Sequence, residues 1–78
     1  MESLYELNYN NDKIFITKYL SESNKIFNER LLFIKKLENN NINITEIEKL
    51  SLLWYYIKFK NCKYSKEINE FILYYDKL

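Results

Sequence analysis

The chain has 78 residues, of which twelve are basic and eleven are acidic, and it contains no histidine, glycine or proline. This length predicts one domain with a small core, worth about 3 to 5 kcal/mol unless a partner adds to it. The balanced charge argues against a protein that binds duplex nucleic acid by neutralising phosphates. Without histidine the chain lacks the commonest general base and the commonest neutral metal ligand, so we expect no catalysis, no metal and no cofactor.

Residues 1–11 are predicted to form an N-terminal arm. Ser3 and Glu6 have the spacing of a capping box, which favours a helix start. The segment behind them is too short to be stable as an isolated helix. We therefore predict a turn or an arm here.

Residues 12–20 can be interpreted as a helix or as a strand. Asp12 can cap a helix, and apolar side chains then recur on one face of it. These side chains are Phe15, Ile16, Tyr19 and Leu20. A strand is the alternative, because residues 14–20 are rich in strand-favouring side chains and residues 10–12 can turn a hairpin. We predict the helix and keep the hairpin as the alternative.

The segment from about residue 23 to residue 38 has the best amphipathic pattern in the chain. Ser21 or Ser23 can cap its start. Its apolar stripe contains Phe27, Leu31, Ile34 and Leu37. Arg30, the only arginine, lies at the edge of this stripe, where it can bridge to a carboxylate or to the carbonyl end of a helix.

A third helix is predicted over residues 45–61. Two overlapping capping boxes mark its start, one of them formed by Asn43 and Glu46. Its apolar residues fall on two faces, which is typical of a helix buried between neighbours. One face carries Ile47, Leu50, Leu53, Trp54 and Ile57, and the other carries Leu52, Tyr55 and Phe59, with Cys62 beyond them. We therefore place this helix at the centre of the fold.

Ser65 can cap a last helix over residues 65–77, whose buried stripe contains Ile68, Phe71, Ile72 and Tyr75. The predicted fold is all-α, a compact four-helix bundle with helices at about 12–20, 23–38, 45–61 and 65–77, and the domain covers residues 12–78. The predicted structural core consists of Phe27, Leu31, Ile34, Leu50, Leu53, Trp54, Ile57, Ile68 and Ile72.

The single cysteine cannot form an intramolecular disulfide. Cys62 has only lysines nearby in sequence and stands beside aromatic residues, so we predict a small buried side chain and not a nucleophile. No apolar run is long enough for a signal peptide or a membrane span. We expect an intracellular, reducing compartment and no membrane association.

Lysines alternate with aromatic residues between positions 58 and 66, a composition found in single-strand RNA binders. On a helix, however, Phe59 points away from Lys58 and from Lys60 by about 100° each. These side chains then form no flat stacking platform, which argues against direct nucleic-acid binding.

Two segments, taken together, resemble one known family. Residues 21–34, Ser-Glu-Ser-Asn-Lys-Ile-Phe-Asn-Glu-Arg-Leu-Leu-Phe-Ile, are similar to its Ser-Glu-Ser-x-Lys-x-aromatic-x-x-Arg-x-x-Phe-hydrophobic block. Residues 50–64 are similar to its second block, Leu-Ser-x-x-Trp-x4-Phe-x2-Cys-x-Tyr. The family is the XTB domain (XTBD), a small helical module named for binding the nuclear 5′-to-3′ exoribonuclease and found in collaborator-of-ARF-like proteins. The resemblance covers about residues 12–78.

The resemblance implies a nuclear, non-catalytic four-helix module, which we expect to be monomeric when free. It would dock on the exoribonuclease and stabilise it or recruit it for RNA processing and turnover. In the family a tyrosine inserts into an apolar pocket of the nuclease. We carry this role to Tyr64, with Lys63, Asn61 and Tyr56 as neighbouring partner contacts, although Tyr55 also stands close by. The structural alternative is that Tyr64 only covers the end of the bundle.

The chain departs from the family pattern at several positions. Asn61 stands where glycine usually precedes the cysteine, and asparagine is the residue that best replaces glycine in a left-handed conformation. Residues 55–57 are bulkier than the small and polar residues common there, and Phe27 replaces a frequent tryptophan. Two other functions stay open: a small inhibitor or adaptor of another nucleic-acid enzyme, encoded by a mobile element, and a single-strand RNA-binding module.

Overall fold

The computed structural model describes residues 4–9 and 12–78, in which a β-hairpin precedes three helices. The elements are β1 (Leu4–Tyr9), β2 (Asp12–Thr17), α1 (Asn24–Asn39), α2 (Ile44–Lys58) and α3 (Lys66–Asp76). The two strands are antiparallel, with Leu4 opposite Thr17 and Tyr9 opposite Asp12. The described part of the chain is therefore mostly helical, with three helices and one two-stranded sheet.

The predicted helix over residues 12–20 is wrong, and with it the all-α four-helix bundle. Residues 12–17 form β2, and residues 4–9 of the predicted arm supply the paired strand. The alternative hairpin is confirmed, although positions 10 and 11, where we placed its turn, lie outside the described residues. Burial explains the outcome: Phe15 and Thr17 are exposed while Ile16 between them is buried, a period of two. Leu20, which the helix would have buried, is fully exposed.

Hydrogen bonds at both ends define helix α1. The Ser23 hydroxyl accepts a hydrogen bond from the Ile26 N–H at 3.2 Å and begins α1. The helix ends at Asn39 and is followed by its cap, Asn40, and by Asn41, whose φ of 59° lies in the left-handed region. There Asn41 N–H donates to the Glu38 carbonyl at 3.0 Å and Ile42 N–H to the Leu37 carbonyl at 3.1 Å, a Schellman motif with asparagine in place of glycine.

Helix α2 begins one residue earlier and ends three residues earlier than its predicted range of 45–61. The Asn43 side chain caps it by accepting from the Thr45 N–H at 3.0 Å. The second apolar face that we predicted for this helix is only partly buried. Tyr55 is buried, but Leu52 and Phe59 are 42% and 38% exposed and Cys62 is exposed. The prediction of a buried cysteine is wrong.

The core lies among the three helices and the end of β2 next to them. Among the predicted core residues, Phe27, Ile34, Leu50, Trp54 and Ile72 are buried, and Leu31, Leu53, Ile57 and Ile68 are partly buried and packed against them. The core also contains Ile16, Phe33, Leu37, Ile44, Ile47 and Tyr55. The rings of Phe33 and Trp54 stack with centroids 6.0 Å apart, which joins α1 to α2. Within the described residues, no helix has the length and apolarity that a membrane span requires.

Asp76 attaches the end of α3 to the other two helices. Its carboxylate accepts from Trp54 Nε1 at 3.3 Å and pairs with Lys58 Nζ at 2.7 Å. Its backbone carbonyl accepts from Lys36 Nζ at 2.6 Å. Trp54 therefore contributes both packing and a hydrogen bond.

Replacing Trp54 by Ala should lower the free energy of unfolding by about 3 to 5 kcal/mol, because it opens a cavity and frees Asp76. Urea unfolding followed by circular dichroism measures the loss. Leu52→Ala on the same helix is the control and should cost less than about 1 kcal/mol, since Leu52 is 42% exposed. Equal losses in the two variants would contradict the core assignment.

Candidate partner-binding site

A buried guanidinium connects two segments of the chain, residues 21–34 and residues 50–64. Arg30 on α1 is 1% exposed, and its Nε donates to Glu22 Oε2 at 2.8 Å while Nη2 donates to Glu22 Oε1 at 3.0 Å. Nη1 donates to Ser51 Oγ on α2 at 2.9 Å, and Nη2 donates to the Thr17 carbonyl at 2.7 Å. One side chain thus joins β2, the segment before α1, and α2. We call Arg30, Glu22, Ser51 and the Thr17 carbonyl the arginine cluster.

Aromatic rings enclose the arginine cluster. The guanidinium carbon lies 4.1 Å from the centroid of the Tyr19 ring and 5.2 Å from that of Phe27. Burial raises the pKa of the Tyr19 phenol above its usual value of 10.0, while the positive charge of Arg30 acts in the opposite direction. Weakly hydrated and planar, a guanidinium suits such a site better than an ammonium.

A second contact joins residues 21–34 to residues 50–64. The hydroxyls of Ser21 and Tyr55 are 2.7 Å apart, within hydrogen-bond distance. Tyr55 is buried, and its ring packs edge-on against Tyr19 at 4.7 Å between centroids. Tyr55 is therefore a packing residue, which leaves Tyr56 and Tyr64 as the tyrosines of this region that a partner can reach.

The segment between α2 and α3 carries the predicted partner contacts. Asn61 has a φ of 55°, which lies in the left-handed region that favours glycine or asparagine. Cys62 N–H donates to the Tyr56 carbonyl at 2.9 Å, which closes the end of α2 around Asn61. Helix α3 follows this turn. The Ser65 hydroxyl caps its start by accepting a hydrogen bond from the Ile68 N–H at 3.3 Å. The turn is thus fixed from both sides.

Tyr64 lies in this turn with 38% of its surface exposed. Its backbone carbonyl accepts a hydrogen bond from Asn69 Nδ2 at 3.0 Å, which anchors the residue to α3. Lys63 and Asn61 are exposed as well, and Tyr56 is 36% exposed at the end of α2. The hydrogen bond between the Cys62 N–H and the Tyr56 carbonyl places Tyr56 next to this turn. The four predicted contact residues therefore all belong to one turn and the helix end that it closes.

Sequence reasoning missed two of the charged groups that organise the structure. Glu22 was not identified as the partner of Arg30, because the two residues are eight positions apart and no local pattern links them. Asp76 was not singled out, because a carboxylate near the end of a helix gives no pattern that predicts three contacts to other helices. Among the described residues, no group of three or more cysteine and carboxylate side chains could hold a metal ion.

Comparison with known proteins adds no family assignment. The chain matches no family model, and its comparisons with curated proteins and with solved structures give no significant match.

Replacing Glu22 by Gln should lower the free energy of unfolding by about 3 to 5 kcal/mol, because the buried Arg30 loses the carboxylate with which it is paired. In a domain of this size the variant should be largely unfolded at room temperature. Trp54 fluorescence at room temperature, compared with that of the parent chain with and without urea, measures the folded fraction.

The control is the same substitution at Glu29, which is exposed on α1 and should change the stability by less than about 0.5 kcal/mol. If Glu22→Gln were as stable as Glu29→Gln, the arginine cluster would not be a main source of stability.

Proposed function

We propose that this chain is a non-catalytic protein-binding module that docks on a nuclear 5′-to-3′ exoribonuclease and stabilises it or recruits it for RNA processing and turnover. The proposal comes from the resemblance to the XTB domain. One observation carries it beyond the sequence. Residues 21–34 and 50–64 contact each other through Arg30 and Ser51. Tyr64, at the end of the second segment, takes no part in that contact and is exposed.

This division favours different roles for the two parts of the pattern. Arg30, Ser51 and Trp54 are buried, so packing and hydrogen bonding explain their presence without any partner. Packing explains Tyr64 only in part, because 38% of its surface remains exposed. A rigid amphipathic ring at a fixed turn can fill an apolar pocket at a low cost in entropy.

The surroundings of Tyr64 suit such an anchor. The turn is held by the left-handed Asn61, by the cap at Ser65 and by the bond from Asn69, so the backbone is ordered before binding. Ordering in advance reduces the entropy lost on association. Lys63 and Tyr56 would form the surrounding contacts, and a nuclear location follows from the partner.

Calorimetric titration of the full chain with the purified nuclear exoribonuclease tests this function. We expect binding at micromolar protein or tighter. No binding at that concentration would contradict the proposal. A parallel titration with single-stranded RNA separates the RNA-binding alternative, which requires affinity without the nuclease and a steep loss with salt.

Replacing Tyr64 by Ala should weaken binding to the nuclease by about 2 kcal/mol or more, roughly 30-fold in Kd, while the helical fold stays intact. Phe15→Ala is the matched control, because Phe15 is a 55% exposed aromatic residue on β2 and lies outside the turn and outside α3. Circular dichroism checks the fold of both variants. If Tyr64→Ala bound as tightly as Phe15→Ala, Tyr64 would only cover the end of the bundle.

A further inference from the structure

A second apolar surface lies between α2 and α3. It is an open groove of about 290 Å³. Its lining residues are Leu50, Leu53, Ile68 and Phe71, with Glu46, Lys49 and Glu67 at the edges. None of them belongs to the turn at Tyr64. The groove is therefore a separate surface from the turn at Tyr64. Its binding properties do not depend on the proposed function.

The apolar surface continues along α3. Phe71 is 43% exposed and Tyr74 is 55% exposed, three residues apart on the outer side of the helix. The Tyr75 ring fixes both of them, since its centroid lies 4.7 Å from that of Phe71 and 4.9 Å from that of Tyr74. In the whole of α3 only Ile72 is buried. A contiguous exposed apolar patch of this kind is typical of an interaction surface.

The walls of the groove favour a helical occupant. Both walls are helices, whose backbone N–H and C=O groups are bonded within each helix and cannot pair with an extended peptide. A helical occupant satisfies its own backbone groups and needs no such partner. A helix laid between two others also packs by the ridges and grooves of their side chains.

The edges of the groove determine the charge of the occupant. Glu46 and Glu67 lie in the first turns of α2 and α3, and neither forms an ion pair within the described part of the chain. Lys49 is the one basic side chain that lines the groove. The two carboxylates outnumber Lys49, so a second copy of the chain packed on this face would bring two surfaces of the same net negative charge together. A helix with lysine or arginine beside its apolar stripe would pair with these carboxylates.

From these observations we infer that the groove between α2 and α3 binds a basic amphipathic helix of a partner protein. Its apolar residues would cover Leu53, Ile68 and Phe71, and its basic residues would face Glu46 and Glu67. The chain would then carry two docking surfaces, one at the turn containing Tyr64 and one at this groove.

Two synthetic helical peptides test the inference on the full chain labelled with ¹⁵N. Both peptides have about 18 residues and the same leucine stripe at i, i+3, i+4 and i+7 spacing, and they differ only in having Lys or Glu beside it. The Lys peptide should shift the amide signals of Leu53, Ile68 and Phe71. The Glu peptide should bind about tenfold more weakly.

Variants of the chain make the test specific. Glu46→Lys combined with Glu67→Lys changes exposed side chains only and should reverse the preference between the two peptides. Phe71→Ser should weaken the Lys peptide by about tenfold, whereas Tyr64→Ala should leave its affinity unchanged.

Several results would overturn the inference: equal affinity for the two peptides, absence of binding, or shifts confined to the turn at Tyr64. Self-association of the chain that shifts the groove signals without peptide would show that a second copy is the occupant and would overturn it as well. Loss of nuclease binding in Tyr64→Ala together with unchanged peptide binding would support both surfaces independently.

Discussion

The burial of one positive charge is the constraint on which the rest of this structure depends. Arg30 is almost fully removed from water, and an isolated charge in that position would cost several kcal/mol. Its donors are distributed to Glu22, Ser51 and the carbonyl of Thr17. Each acceptor comes from a different segment, so the charge is compensated only when all of these segments are in place.

This requirement makes local and global structure interdependent. The hairpin contributes a backbone carbonyl to the arginine cluster, although a two-stranded sheet has little stability of its own. Ile16 is its buried contact with the helical core. Among the side chains that the structure describes, Ile16 and one charge-assisted hydrogen bond to the Thr17 carbonyl hold β2 beside the helices. A small domain obtains more order from such a cluster than its apolar area alone would provide.

The sequence predicted the three longer helices well, because each has a side-chain cap and a stripe of apolar residues at helical spacing. It failed for residues 12–20, where aromatic and β-branched residues are so dense that both a helical and a strand period fit them. The deciding fact was that residues 4–9 could pair with β2, a contact between segments that no local pattern contains.

The candidate site was predicted less completely than the fold. The turn at Asn61 followed from the known conformational tolerance of asparagine, and it has that conformation. The exposure of Cys62 did not follow, because it depends on α2 ending at Lys58. The groove between α2 and α3 was also beyond prediction. Phe71 was expected in the core, and only the angle between two helices decides how much of its ring stays outside.

The two left-handed asparagines have a wider meaning for sequence patterns. Asn41 and Asn61 end helices in a chain that contains no glycine. An asparagine pays a modest steric cost in this conformation, and its short polar side chain can offset part of that cost locally. The left-handed residue that follows a helix can thus be supplied without glycine. A composition that lacks glycine therefore does not exclude tightly turned helix ends.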